Sequence, residues 1–169
     1  MLSEIKASSE LWAILQHDGA TLEEHSSELL AQLVELAQRR LEPAAVCAVL
    51  LSAPDTDTLL PDLAPLSTLG ISKIYNVVHP LLSRYAMEAW VSALAWMVRE
   101  QAPLLVASGA TANGRDWMPR LAARLRLTLA PGCLSVDIQD DALLALRPIY
   151  AGRAYVQTRA VLNGHTALA

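Results

Sequence analysis

The amino-acid sequence predicts a doubly wound α/β domain in three layers, with a largely parallel sheet, helices on both faces and a small β extension in its last third. Three observations carry this reading. Residues 44–51 (AAVCAVLL) form an unbroken apolar run, which is the pattern of a strand covered on both faces, as in parallel sheets. Segments of strand type and helix type alternate along the first two thirds of the chain, as right-handed crossover connections require. Residues 82–100 repeat apolar positions at helical spacing, so that Tyr85, Ala89 and Leu94, with Trp90 and Met97, share one broad face.

Residues 11–15 (LWAIL) are a short apolar run closed by His17-Asp18-Gly19, a buried strand leaving through a turn. A helix follows, with Ser26 or Ser27 as its N-cap and Leu29, Leu30, Leu33, Val34, Leu36 and Ala37 at helical spacing; it ends ahead of Pro43. After the strand at 44–51, residues 56–66 are weaker, broken by Pro61 and Pro65, and suit one or two helical turns. Residues 70–78 give a third strand, 82–100 the long helix and, past Pro103, 104–107 a fourth short strand. A turn after Gly109 leads into a helix running through Leu125.

The last third changes character. Residues 134–138, 143–149 and 154–161 read as extended segments joined by turns at Asp140-Asp141 and Ala151-Gly152, an extension added to the main sheet. Residues 163–169 (NGHTALA) are a turn and the start of another apolar run, which reads as a cut within a longer chain.

Composition narrows the function classes. A chain of 169 residues, 53% hydrophobic and 18% charged, holds one compact domain spanning 1–169 and is the opposite of a disordered segment. The net charge is −4, and the basic residues are scattered except at 115–126, where they mark a solvated helix face. No basic cluster of the kind that nucleic acid or an anionic membrane favours is present. No apolar stretch reaches the ~18 residues of a membrane span, and residues 1–10 resemble neither a secretory signal nor a presequence. The expected location is the cytoplasm of a bacterium or archaeon. Cys47 and Cys133 sit in apolar runs without CxxC spacing or a neighbouring histidine, so they read as small buried hydrophobes. His17, His25, His79 and His165 lie on separate elements and form no ligand or catalytic pattern. Trp12, Trp90, Trp96 and Trp117 read as core and interface mass.

Two segments are candidates for chemistry. Gly109, Thr111, Asn113, Gly114 and Arg115 lie between a buried strand and a helix, where α/β folds bind ligands and where backbone N–H groups can meet a phosphate. Spacing gives G-x-x-x-x-G, yet Arg115-Asp116 occupy the places where a phosphate-binding loop needs Lys and then Ser or Thr, so nucleotide hydrolysis is excluded. Two readings remain for it: a tight turn with Asn113 or Asp116 capping the helix and Pro119 near its start, or a weak nucleotide-phosphate contact, AMP being one such ligand. Arg147, Tyr150 and Gly152 form the second candidate, read either as a partner-docking turn, because Arg and Tyr are enriched at interfaces, or as an ordinary exposed turn.

Four segments in order resemble the electron-transfer flavoprotein α subunit: 11–22 (LWAILQHDGATL) followed by the helix start at 27–30, 70–78 with the helix from Tyr85, 105–125 (LVASGATANGRDWMPRLAARL), and 143–152 (LLALRPIYAG) with the strand after it. The third is the closest, with its GAT, GRD and PRLAARL elements. Two departures stand out: Gln16 where the family usually has glutamate, and 127–134 (LTLAPGCL), where it usually has polar residues. The resemblance implies a Rossmann-like, nucleotide-α-hydrolase-like amino-terminal domain. FAD would be held by the parent's own carboxyl-terminal domain, not by this part. It implies a β subunit as partner, electrons drawn from dehydrogenases such as those of acyl-CoA in fatty acid β-oxidation, and a non-catalytic scaffold role here. The domain is also similar to the nucleotide-binding fold of the β subunit, and the alternative is a stand-alone adenine-nucleotide-binding protein.

Overall fold

The computed structural model describes residues 8–17, 21–54, 63, 66, 68–162 and 166–169. Strands are β1 (Glu10–Ile14), β2 (Ala45–Ser52), β3 (Lys73–Val78), β4 (Leu105–Ser108), β5 (Thr128–Leu129), β6 (Ser135–Gln139), β7 (Ala142–Ile149), β8 (Ala154–Val161) and β9 (Ala167–Leu168). Helices are α1 (Glu24–Arg39), α2 (Met87–Gln101) and α3 (Ala112–Leu125). The Asp18-Gly19 turn, most of the weak 56–66 segment and the 163–165 turn with His165 fall outside the described residues.

Six strands make one sheet in the order β3-β2-β1-β4-β9-β5, and every pair within it is parallel. The central strand explains the layers. In β1 and just past it, Leu11, Ala13 and Leu15 enter one core and Trp12 and Ile14 the other, because successive side chains alternate across a strand. The first core is closed by Leu30, Leu33 and Leu36 of α1. The second is closed by Trp90, Val91, Leu94, Ala95 and Val98 of α2 and by Trp117, Met118 and Leu121 of α3. Three of the four tryptophans are buried there, whereas Trp96 is exposed.

The last third departs from expectation in its attachment. Strands β6, β7 and β8 form a separate antiparallel sheet rather than lengthening the main one. Its inner face, through Val136, Ile138, Leu143 and Ala145, packs into the α1-side core. Asp140 and Asp141 make the two-residue turn between β6 and β7, both with positive φ, as right-handed strand twist demands of such a hairpin. Pairing of β6 with β7 reaches no further than Ser135 opposite Leu146, while β7 and β8 continue together to Ile149 opposite Ala154. The β7–β8 hairpin therefore extends beyond its third strand as a two-stranded arm. After β8 the chain returns to the main sheet, where β9 slots between β4 and β5.

A buried carboxylate ties β1 to β3 across the intervening β2 at the amino-terminal edge of the sheet. Glu10 accepts from Trp12 Nε1 at 2.8 Å, from Lys73 Nζ, and from the Tyr75 hydroxyl at 3.1 and 3.2 Å. Burial pushes the carboxyl pKa up. The hydrogen bonds from Lys73, Trp12 and Tyr75, with the Lys73 charge, outweigh it and hold Glu10 below its ordinary value. Beside it, burial and the Glu10 charge push the Cys47 thiol up to about 12, so it carries no thiolate at neutral pH.

Two outcomes follow from this network. The depressed pKa makes the Glu10 contribution to stability full above the ordinary carboxyl range and lost as pH falls through the lowered native value. Replacing Glu10 with Ala should cost about 1–3 kcal/mol at neutral pH, and the difference from wild type in urea unfolding should shrink as the pH is taken below 4. Cys47 should resist a thiol-specific reagent in the folded chain and react once urea unfolds it; fast labelling of folded Cys47 would contradict its placement.

Candidate functional site

The strand order reverses between β1 and β4, whose carboxyl ends feed the segments that shape this edge of the sheet. Gln16, just past β1, donates from Nε2 to Thr111 Oγ1 at 2.7 Å. The same Thr111 oxygen accepts the Gly114 N–H at 3.0 Å, so Thr111 is the N-cap of α3, in place of the expected Asn113 or Asp116. Its hydroxyl proton could equally be given to a carboxylate, so a glutamate in place of Gln16 would close the bridge with reversed polarity. Ser26 is buried in the first turn of α1, not at its cap, and accepts the Gln16 N–H at 2.8 Å while donating to the Gln16 carbonyl at 3.0 Å. One residue thus joins β1 to the amino ends of two helices.

Gly114 is required by close approach. A Cβ built there would lie 2.2 Å from the Gly109 carbonyl oxygen and 3.0 Å from Ser108 Oγ, so the first turn of α3 rests directly on the β4–α3 loop. Arg115 folds back, donating from Nε to the Ala110 carbonyl at 2.8 Å and from its N–H to the Thr111 carbonyl at 3.0 Å. Pro119 is the eighth residue of α3, not near its start, and withholds the N–H that would reach the Arg115 carbonyl.

The loop borders two recesses. Gly109, Gly114 and Arg115 line a cavity of about 350 Å³ with His25 and Leu29 of α1 and Pro131, Gly132 and Cys133 of the β5–β6 loop. Asn113 lines a smaller crevice of about 200 Å³ over the ends of β1 and β2, with Gln16, Ser52, Arg84 and Trp90. The five predicted loop residues are thus together, but divided between capping, packing and two different recesses. Cys133, half-buried in the larger one, has its thiol pushed up by burial.

Arg147, Tyr150 and Gly152 lie apart from this loop in sequence and element, at the tip of the β7–β8 arm. Tyr150 is 78% exposed and holds φ +51°, followed by Ala151 at +54° and Gly152 at +84°. Arg147 is half-buried and its Nε has no hydrogen-bond partner among the described residues. His25 lies 3.7 Å from Glu28, and His79 caps a short 3-10 turn at Pro80–Leu82. Among the described residues no group of His, Cys, Asp and Glu could hold a metal, and no helix is long and apolar enough to cross a membrane. Sequence reasoning missed Gln16, Ser26, Arg84 and Trp90 as parts of this edge. A polar residue directly after an apolar strand was the available signal for Gln16.

A parallel sheet with a reversal in strand order and helices on both faces defines a doubly wound, Rossmann-like domain. The profile described as "Electron transfer flavoprotein domain" matches residues 11–164, and the chain belongs to that family. It is similar to the electron transfer flavoprotein subunit alpha of Thermoanaerobacterium thermosaccharolyticum, 31% identical over 85% of this chain and 42% of that one. It is equally similar to the subunit alpha of Clostridium acetobutylicum, 31% identical over 84% of this chain and 41% of that one. Protein FixB of Azorhizobium caulinodans is 30% identical over 87% of this chain and 39% of its own length. The chain therefore spans about two fifths of the length of these relatives, and the α-subunit resemblance read from four segments is borne out.

Replacing Gly114 with Ala should cost at least 1–3 kcal/mol, the usual overpacking range, because the obstructing atom is backbone. Thermal unfolding measures this; an unchanged midpoint would mean that α3 does not rest on the loop as described.

Proposed function

We propose that this chain is the amino-terminal domain of an electron-transfer flavoprotein α subunit, a scaffold that joins a β subunit and the parent's own flavin domain. In that assembly FAD lies outside residues 1–169, in the carboxyl-terminal part of the parent. The parent accepts electrons from cytoplasmic dehydrogenases, acyl-CoA dehydrogenases among them, and passes them to the respiratory chain. Family membership and the length of the relatives support the electron-carrier part of this reading.

The observation that carries the scaffold part is the β7–β8 arm. Two strands alone are marginally stable in water, and past Leu146 this pair has no third strand. Ile149, Tyr150, Tyr155 and Val156 are exposed along it. A bulky residue in the left-handed region is uncommon and costs about 1 kcal/mol, and Tyr150 is held there with its ring in solvent. Residues 142–162 contain Arg147, Arg153 and Arg159 and no acidic residue, in a chain whose net charge is −4. An apolar tip flanked by arginines suits a partner surface that is apolar at its centre and acidic at its rim. Arg147, Tyr150 and Gly152 belong to that contact, Gly152 by permitting the turn.

The test combines colour with association. The purified chain is expected to stay colourless after FAD is added and removed by gel filtration, and to form a 1:1 complex with the β subunit of the parent protein. Replacing Tyr150 with Gly should leave thermal stability no lower, since it removes the left-handed penalty, and weaken that complex at least tenfold. A yellow chain would place the flavin here instead, and an undiminished complex would move the docking surface off the arm.

A further inference from the structure

We propose that Trp117, Trp90 and Tyr85 form a relay that carries an electron vacancy from the core outward to a phenol, where Asp116 takes the proton that the phenol releases. The three rings touch in order. Trp117 meets Trp90 with centroids 6.4 Å apart, and Trp90 meets Tyr85 edge-on at 5.3 Å, both within the range of interacting aromatic pairs. Trp90 lies on α2 and Trp117 on α3, packed in one core, Trp117 with no exposure and Trp90 with 8%. Tyr85 is half-buried just ahead of α2, so the series runs from the interior to the surface. Trp12 and Tyr75 are a separate pair of rings 5.3 Å apart, and their donors turn to Glu10 at the opposite edge of the sheet.

The direction is set by where protons can go. An indole that has lost an electron is acidic at its N–H. Among the described residues neither the Trp90 nor the Trp117 nitrogen has an acceptor, and both are closed to solvent, a state that folded proteins seldom leave buried donors in. A vacancy on either ring therefore stays a mobile radical cation instead of being trapped by loss of the proton. Tyr85 differs, because its hydroxyl donates to Asp116 Oδ2 at 2.7 Å, and Arg120 Nε steadies the other carboxylate oxygen at 3.5 Å. Burial, with the Asp116 carboxylate, pushes the Tyr85 hydroxyl up to about 12, so it keeps its proton until it is oxidised. A one-electron oxidant of the oxyl or peroxyl class takes an electron from an indole and becomes its anion. Tyr85 then gives one electron to the indole cation and its proton to Asp116, leaving a neutral phenoxyl. A thiolate returns the electron, becoming a thiyl radical, and Asp116 returns the proton.

The test is laser photoionisation of the indoles under nitrous oxide, which removes the ejected electron, with transient absorption as the readout. A Trp96→Phe parent is used, because Trp96 is exposed and would be a surface source of its own. The indole cation band is expected to decay as the phenoxyl band rises, and more slowly in heavy water. Tyr85→Phe should remove most of that rise, and Tyr75→Phe the remainder that belongs to the Trp12 pair. Trp90→Phe, which keeps a ring but breaks the series, should lose as much as Tyr85→Phe. Asp116→Asn should slow the rise at least tenfold, the usual lower range for a displaced proton acceptor. Thermal unfolding checks each variant, and Tyr85→Phe and Asp116→Asn lie outside the core, so they decide the matter even if Trp90→Phe fails to fold. The proposal is overturned if the phenoxyl rise is undiminished in Tyr85→Phe, or if Asp116→Asn shows the parent rate.

Discussion

The fold depends on a central strand that has no solvent-facing side. Residues 10–16 are buried without interruption, so both faces of β1 must be covered and both of its edges must be paired. That condition accounts for the helix layers on opposite sides and for the neighbours β2 and β4 on either edge. It also accounts for the polar chemistry at the two ends of the strand. Glu10 at one end can be buried only because three donors meet it, and Gln16 at the other only because Ser26 and Thr111 take up its backbone and amide. An unpaired polar group in either place would cost a large part of a domain's net stability.

The parts of the fold legible in the sequence were those with a long, regular pattern. β2 showed itself as an unbroken apolar run, and α1, α2 and α3 by their spacing, because periodicity over ten or more residues outweighs local accidents. The parts that escaped were short or depended on distant partners. β5 and β9 have two residues each, too few for any period, and exist because β9 finds an edge on β4 and β5 an edge on β9. The small sheet was visible as three extended segments, but nothing local says which sheet such segments join. The Glu10, Lys73 and Tyr75 cluster spans 63 and 65 positions and leaves no trace in either stretch taken alone.

The candidate site shows the same division. The strand–loop–helix unit containing Gly109 to Arg115 was readable because its glycines stand at a position where the topology turns. Which of its groups remain available was not, since capping by Thr111, the 2.2 Å approach at Gly114 and the fold-back of Arg115 are decided by geometry. A glycine-rich loop at a helix start can be shaped by a ligand or by the helix resting on it. Here the contacts assign the glycine at 114 to the second role.

The place of β9 has a consequence for how the molecule is made. β4 and β5 are neighbours of β9 but not of each other, and the strand that fills the gap is synthesised about forty residues after β5. At usual synthesis rates that interval is roughly 2–8 s, during which the Leu104 and Val106 carbonyls and the Ser108 N–H, which Ala167 and Ala169 will engage, face an open slot. The nascent sheet is therefore an incomplete lattice awaiting its key, and any delay in that stretch of translation prolongs the time for which a foreign strand can take the vacancy.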